Sequence, residues 1–343
     1  MGQSSRVMKT LPRTLLVLTF VPLFTAPLMA DPLGLAVVGS YAYVGGSDGL
    51  TVIDVSNPEA PKKVGFCKLP GPVSEIAVSG GFAYIATRQS VLQVVDISDP
   101  KAPTEVGSYR PRPAVRPAAR KGDQWGPVVE SVAVAGKHAY VTCNHVPKDK
   151  DKWCSNLYVL DISNPKAPTE VGSFEKHRDG LFLGVAVVAK YAYVADKASI
   201  LWVVDVSDPK RPTEAGSCVT TGEPQRVFVS GKYAYVADDD GAMHIVDITD
   251  PRAPKKLGSF EEATKDSPAV GEAVAVAGQY AYVASDHNAL YVVDISDAKA
   301  PKEVVLIKMK GAALGVVVAN GYVYVNVFRA DLFIMKLKEK QGR

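Results

Sequence analysis

The sequence predicts an all-β fold, a seven-bladed β-propeller whose last blade is three-stranded. Three observations predict it. A Tyr-Ala-Tyr-Val type element occurs seven times along the chain. The apolar runs are four to six residues long and rich in Val, Ile and Tyr, too short for helices and suited to a pleated sheet. Turn signals of the Ser-Asn/Asp-Pro type recur at a fixed place in the first six units.

The first unit shows the plan. LAVVG at residues 35–39 is followed by YAYV at 41–44, LTVIDVSNP at 50–58 and PKKVG at 61–65. The first run is small and aliphatic, as a strand beside a crowded axis requires. The second carries the tyrosines. The third ends in Asp at the entrance to a proline-bounded turn, and the fourth is short and more polar. The second-run tyrosines fall at 43, 84, 140, 193, 235, 282 and 324, so a unit of about 42 residues carries insertions in its second, third and fifth gaps. Four short strands per unit of this length is the pattern of propeller blades. In a blade both sheet faces pack against neighbours, which fits runs that are apolar almost throughout rather than alternating. The seventh unit ends DLFIMKL at 331–337, with no Asp-Ile-Ser-Asp-Pro turn and no fourth run. It is therefore expected to supply three strands, with Lys336, Lys338 and Lys340 blunting a partly open edge.

The N-terminus has a different character. Arg6, Lys9 and Arg13 precede an apolar run at residues 14–24, and small residues lead to Ala30. This order predicts a secretory signal over residues 1–30, followed by a single propeller domain over 31–343. The apolar run is short for a membrane span and contains Pro22. No later run is long and apolar enough to serve as one. The expected location is the periplasm, the cell surface or the medium. The net charge of +3 belongs to the leader, because the rest of the chain carries 36 basic and 36 acidic residues. A neutral body argues against nucleic acid as a partner.

The run LQVVDISDP at 92–100, repeated as LYVVDISD at 290–297, resembles the repeat of the LVIVD-repeat proteins. The resemblance spans about residues 33–337 and implies an exported β-propeller. It implies no catalytic residues.

Asp54, Asp96, Asp161, Asp205, Asp247 and Asp294 recur at the ends of third strands. Spread over six blades they cannot converge on one ion, and short carboxylates there accept backbone N–H bonds in turns. The variable material lies in connections two-to-three and four-to-one, which share one rim: residues 109–127, 143–154, 174–183 and 261–271. Variable loops on a rigid body are where binding is expected. The longest holds Arg110, Arg112, Arg116, Arg120 and Lys121 against one carboxylate, interleaved with prolines and ending at Trp125. An extended basic arm of this kind suits an acidic protein or anionic glycan. His145, Trp153, His177 and Arg178 extend the candidate surface over blades three and four. Cys143 and Cys154 bracket a hairpin loop and read as a disulfide in an exported chain. Cys67 and Cys218 occupy equivalent places in distant blades and are expected to be buried thiols.

No metal site is expected, since His145 adds only a third ligand to the two cysteines. Asp238-Asp-Asp240 reads as a hairpin turn rather than a cation loop. No cofactor is expected. No phosphate loop or His-Glu-x-x-His motif is present. The reading favoured is a noncatalytic exported binding or scaffold propeller that uses the rim of blades two to four. A cell-surface structural or adhesion role is one alternative. A metal-dependent hydrolase or lactonase is the other, with residues at the channel where inner strands begin with Glu75, Glu130, Arg226 and Glu272.

Overall fold

The computed structural model describes residues 17–19, 34–89, 91–111, 128–145, 154–177, 180–239, 242–261, 270–328 and 332–337. All regular structure among them is β-strand. The strands form seven antiparallel sheets, and within each repeat consecutive strands are neighbours. The chain is a seven-bladed β-propeller.

Seven apolar clusters hold it together, one at each blade junction. Ala42 and Ile53 of blade one pack with Tyr324 and Ile334 of blade seven, so the ring is closed by side-chain packing. The Tyr-Ala-Tyr-Val strands sit second in each blade. Their Ala42, Ala83, Ala139, Ala192, Ala234 and Ala281 are fully buried, and the tyrosine that follows each is nearly so. The small residue lets neighbouring sheets approach, and the ring of the tyrosine fills the widening wedge outside it.

The turns match their sequence signals. Strands one and two are joined by two residues in every blade, as between Val38 and Tyr41 or Ala135 and His138. The first of the two takes a left-handed φ between +52° at Asn320 and +59° at Gly278. Glycine serves in five blades, Asn320 in blade seven and Ala189 in blade four. Strands three and four are joined by seven residues in each of blades one to six, as between Asp54 and Lys62. Each of these turns is held by two carboxylate or amide caps. Asp96 Oδ1 accepts from the Ser98 N–H at 2.9 Å, and Asp99 Oδ1 accepts from the Lys101 N–H at 3.0 Å. The repeated aspartates are turn caps, as the sequence indicated.

The glycine of the fourth strand has a specific neighbour. A Cβ on Gly107 would lie 2.4 Å from the Pro165 carbonyl oxygen, and one on Gly172 would lie 2.3 Å from that of Pro209. The outer strands of blades one to five thus pack beneath the three-to-four turn of the next blade, where Ala298 of blade six stands in the place of the prolines. Blade six has Val305 at this position, paired with Val292. Blade seven has no such turn to press on it.

The seventh repeat contributes three strands, Ala313–Ala319, Tyr322–Val327 and Leu332–Lys336. Its outer edge is not bare. Residues Val17–Thr19 lie antiparallel to it, with Val17 opposite Lys336 and Thr19 opposite Ile334. The fourth-strand place left empty by the last repeat is taken by part of the N-terminal apolar run.

Candidate binding rim and channel mouth

Because strands alternate in direction, the short uniform turns all fall on one rim. The connections on the other rim vary widely. Most have three or four residues, but 110–127, 146–153 and 261–270 are much longer. The expected insertion at 174–183 is not a loop. Strand Thr169–His177 runs through its first part, opposite Cys154–Asp161, and four residues lead to Phe182. The extra residues make blade three taller, with eight-residue second and third strands.

The structure places the candidate contact residues unevenly. Arg110 is exposed, and its Nη1 donates to the Gln89 carbonyl at 3.4 Å, which draws the start of the long connection over blade two. Tyr109 anchors the strand before it. Its hydroxyl donates to Glu170 Oε2 at 2.6 Å in blade three. Arg112, Arg116, Arg120, Lys121, Trp125, Trp153 and Arg178 lie outside the described residues. His145 ends a strand opposite Cys154 and is 8% exposed, so it supports the loop base rather than the surface. His177 closes the outer strand of the same blade.

No disulfide joins Cys143 to Cys154. Strand register explains this. Cys143 faces Asn156 and Cys154 faces His145, so the two cysteines are diagonal neighbours. Diagonal positions are about 7–8 Å apart, beyond the Cα separation a disulfide accepts. The Cys154 thiol donates to Glu175 Oε1 at 2.7 Å. Burial pushes the Cys143 thiol well above its usual range, as suits an inert buried group. Cys67 and Cys218 are buried thiols, as expected.

The inner strands carry a feature that linear sequence does not show. In blades two to seven each begins with a β-bulge, for example between Val73 and Glu75 and between Pro224 and Arg226. Bulges re-aim side chains at the ends of strands. At the level just inside the bulge, Gly34, Ser131, Gly184, Ala273 and Gly315 are small. The two long side chains there are Glu75 of blade two and Arg226 of blade five. They meet at 2.9 Å, with exposures of 22% and 15%. Arg226 also donates to the Ser74 carbonyl at 3.4 Å and the Gln225 carbonyl at 3.1 Å. The pair therefore bridges the ring near its axis. The residues next along the inner strands, among them Leu35, Val132, Val185 and Val274, are aliphatic, and with Phe228 they line a cavity of about 180 Å³.

Burial pushes the Glu75 carboxyl up, and Arg226 pulls it partly back. Glu130 is shifted the same way by the same cause, with Arg226 and Arg88 opposing. One guanidinium thus acts on two half-buried carboxylates at the mouth, on Glu75 by direct contact and on Glu130 through space. Among the described residues no grouping of three or more His, Cys, Asp or Glu could hold a metal ion.

A second set of polar contacts lies under the same rim. Asp196 Oδ2 accepts from Trp202 Nε1 at 2.8 Å. At the equivalent place in blade five, His244 Nε2 stands 3.4 Å from Asp238 Oδ2 and donates to the Thr221 carbonyl at 3.1 Å. Both Asp238 and His244 are fully buried. Asp238 is thus a hairpin-end anchor and not a loop ligand. Sequence reading missed these pairs. Their one signal is a polar residue six places after a strand-ending acid.

The LVIVD repeat family matches residues 33–68, 70–110, 128–176, 180–220, 221–262, 271–307 and 310–335. The chain belongs to the LVIVD-repeat family. No curated protein matches it. Among solved structures it is similar to the computationally designed Ika8 protein, at 10% identity and TM-score 0.61, covering 93% of this chain and all of that one. It is similar to BamB from Moraxella catarrhalis, at 14% identity and TM-score 0.54, covering 91% and 85%. It is also similar to the Cps50 (Swd1) β-propeller domain of Myceliophteria thermophila, at 10% identity and TM-score 0.69, covering 94% and 100%. At these identities the likeness concerns the fold. Among the described residues no helix is long and apolar enough to cross a membrane.

Proposed function

We propose that this LVIVD-repeat propeller is an exported, noncatalytic binding module that engages an acidic protein or anionic glycan through the variable rim of blades two to four. The observation that carries the reading is the distribution of chain length. One rim repeats the same two-residue and seven-residue turns, while the other holds every long connection. Neutral drift would place insertions on both. The longest connection is also the most basic, and it runs from the outer strand of blade two to Val128, where the bulged inner strand of blade three begins. A rigid ring carrying a connection with five Lys and Arg against one carboxylate suits recognition of an anionic surface.

The test is capture from the host envelope with the intact chain and with a chain lacking residues 110–124. A partner retained only by the intact chain, and released by moderate salt, supports the reading. Equal capture by both chains overturns the assignment of the face.

A further inference from the structure

In blades one to six the apolar third strand is covered by a fourth strand rich in Lys, Glu and Ser, as in KKVGFCK at Lys62–Lys68 or TEVGSY at Thr104–Tyr109. Blade seven has the apolar third strand, LFIMK at Leu332–Lys336, but among the described residues its repeat supplies no fourth strand. Leu332, Ile334 and Met335 are buried, so the strand is firmly part of the core. Its neighbour in blade six carries Val305 where the earlier blades have glycine, because no proline turn comes from blade seven. The last repeat by itself therefore leaves the place of one strand unfilled at the perimeter, with a row of backbone donors and acceptors at its floor.

The structure also shows what fits there. Val17–Thr19 add to Leu332–Lys336 as an antiparallel strand in a definite register, Leu18 opposite Met335. These residues belong to the apolar run read as an export leader. Once that leader is removed, the same edge is exposed, and an apolar edge strand is a template for pairing with another chain.

We propose that the edge Leu332–Lys336 is an acceptor site for an extended apolar segment of a partner protein, added antiparallel as the fourth strand of blade seven. The inference rests on removal of residues 1–30 and is independent of the rim. Charge specifies the partner further. In antiparallel register the incoming strand's N-terminal end lies beside Lys336, and Lys338 and Lys340 follow in sequence. The chain's own segment is preceded by Arg13, a like charge. An incoming strand with acidic residues before its apolar core matches this end, and the leader is a replaceable occupant.

The test compares the full-length chain with one that starts at Asp31, each shown to melt cooperatively. The probe is a labelled peptide of residues 14–19 behind two aspartates, with a control behind two lysines. The expected result is binding of the aspartate peptide to the shorter chain, roughly tenfold tighter than the lysine control at low salt. Bound peptide should slow amide exchange at Leu332–Lys336, and the full-length chain should bind less. If the shorter chain does not melt cooperatively, full-length protein with Leu18→Pro and Thr19→Pro takes its place. Absence of binding, binding without protection of that strand, or no preference for the aspartate peptide overturns the proposal. Mass spectrometry of the exported protein separately reads whether residues 1–30 are removed.

Discussion

Arg226 Nε lies 2.9 Å from Glu75 Oε2, and this contact ties blade five to blade two across the propeller axis. Replacing Arg226 by Ala leaves a half-buried carboxylate without its partner. We expect a loss of about 3 kcal/mol, measured by denaturant unfolding. The double variant Glu75→Gln with Arg226→Met should recover most of it. The pH dependence gives a second readout. Burial raises the Glu75 carboxyl in the folded state, so folding favours its protonated form. In Arg226→Ala that shift grows, and stability should fall as pH rises from the ordinary glutamate value of about 4.3 through the folded-state value. A flat difference between the two proteins across that range would contradict the account.

Ala189 holds a φ of +54° where five other blades use glycine. Ala189→Gly should stabilise the protein by about 1 kcal/mol, through relief of left-handed strain, despite the extra freedom glycine gives the unfolded chain. Gly136→Ala, at a φ of +58°, should shift the unfolding midpoint in the opposite direction.

The glycine of the outer strands should be intolerant of substitution in a position-specific way. Gly172→Ala drives a methyl into the Pro209 carbonyl and should cost about 2 kcal/mol. Val305→Ala at the equivalent place in blade six has no turn above it and should be nearly neutral. Thermal unfolding of the two variants tests the difference.

Hydrogen bonds from the residue two places on hold the Asp247 and Asp294 carboxyls below the usual aspartate range. The other repeated caps behave alike. A depressed folded-state value means stability that is present above the unfolded aspartate value, about 3.9, and is lost as pH falls through the folded one. Acid unfolding should therefore steepen below pH of about 3.9. Asp294→Ala should be less stable at neutral pH and lose less on acidification, as followed by circular dichroism.

The fold was legible because the repeat encodes it locally. Each Tyr-Ala-Tyr-Val strand and each Asp-Ser-Asn/Asp-Pro turn dictates its own conformation, and seven copies leave little choice of assembly. The outer-strand glycines were visible, but their reason lies in the next blade's Pro165 or Pro209 carbonyl, which strand order alone does not show. The site was legible only as a face. Glu75 and Arg226 stand 151 positions apart in sequence, and their meeting depends on ring closure and on two bulges. The Cys143–Cys154 expectation failed because loop length does not reveal register, and a shift of two places made the pair diagonal. The open edge of blade seven was readable from the missing turn, but its occupation by Val17–Thr19 was not.

The measurement that bears most directly on the central claim is amide exchange on the intact protein with and without its captured partner. The account predicts slowed exchange in the connections 110–127 and 146–153 and at the inner-strand starts around Glu75 and Glu130, with the two-residue turns of the opposite rim unchanged. Protection confined to the uniform rim, at turns such as Gly136-Lys137 and Gly231-Lys232, would contradict it.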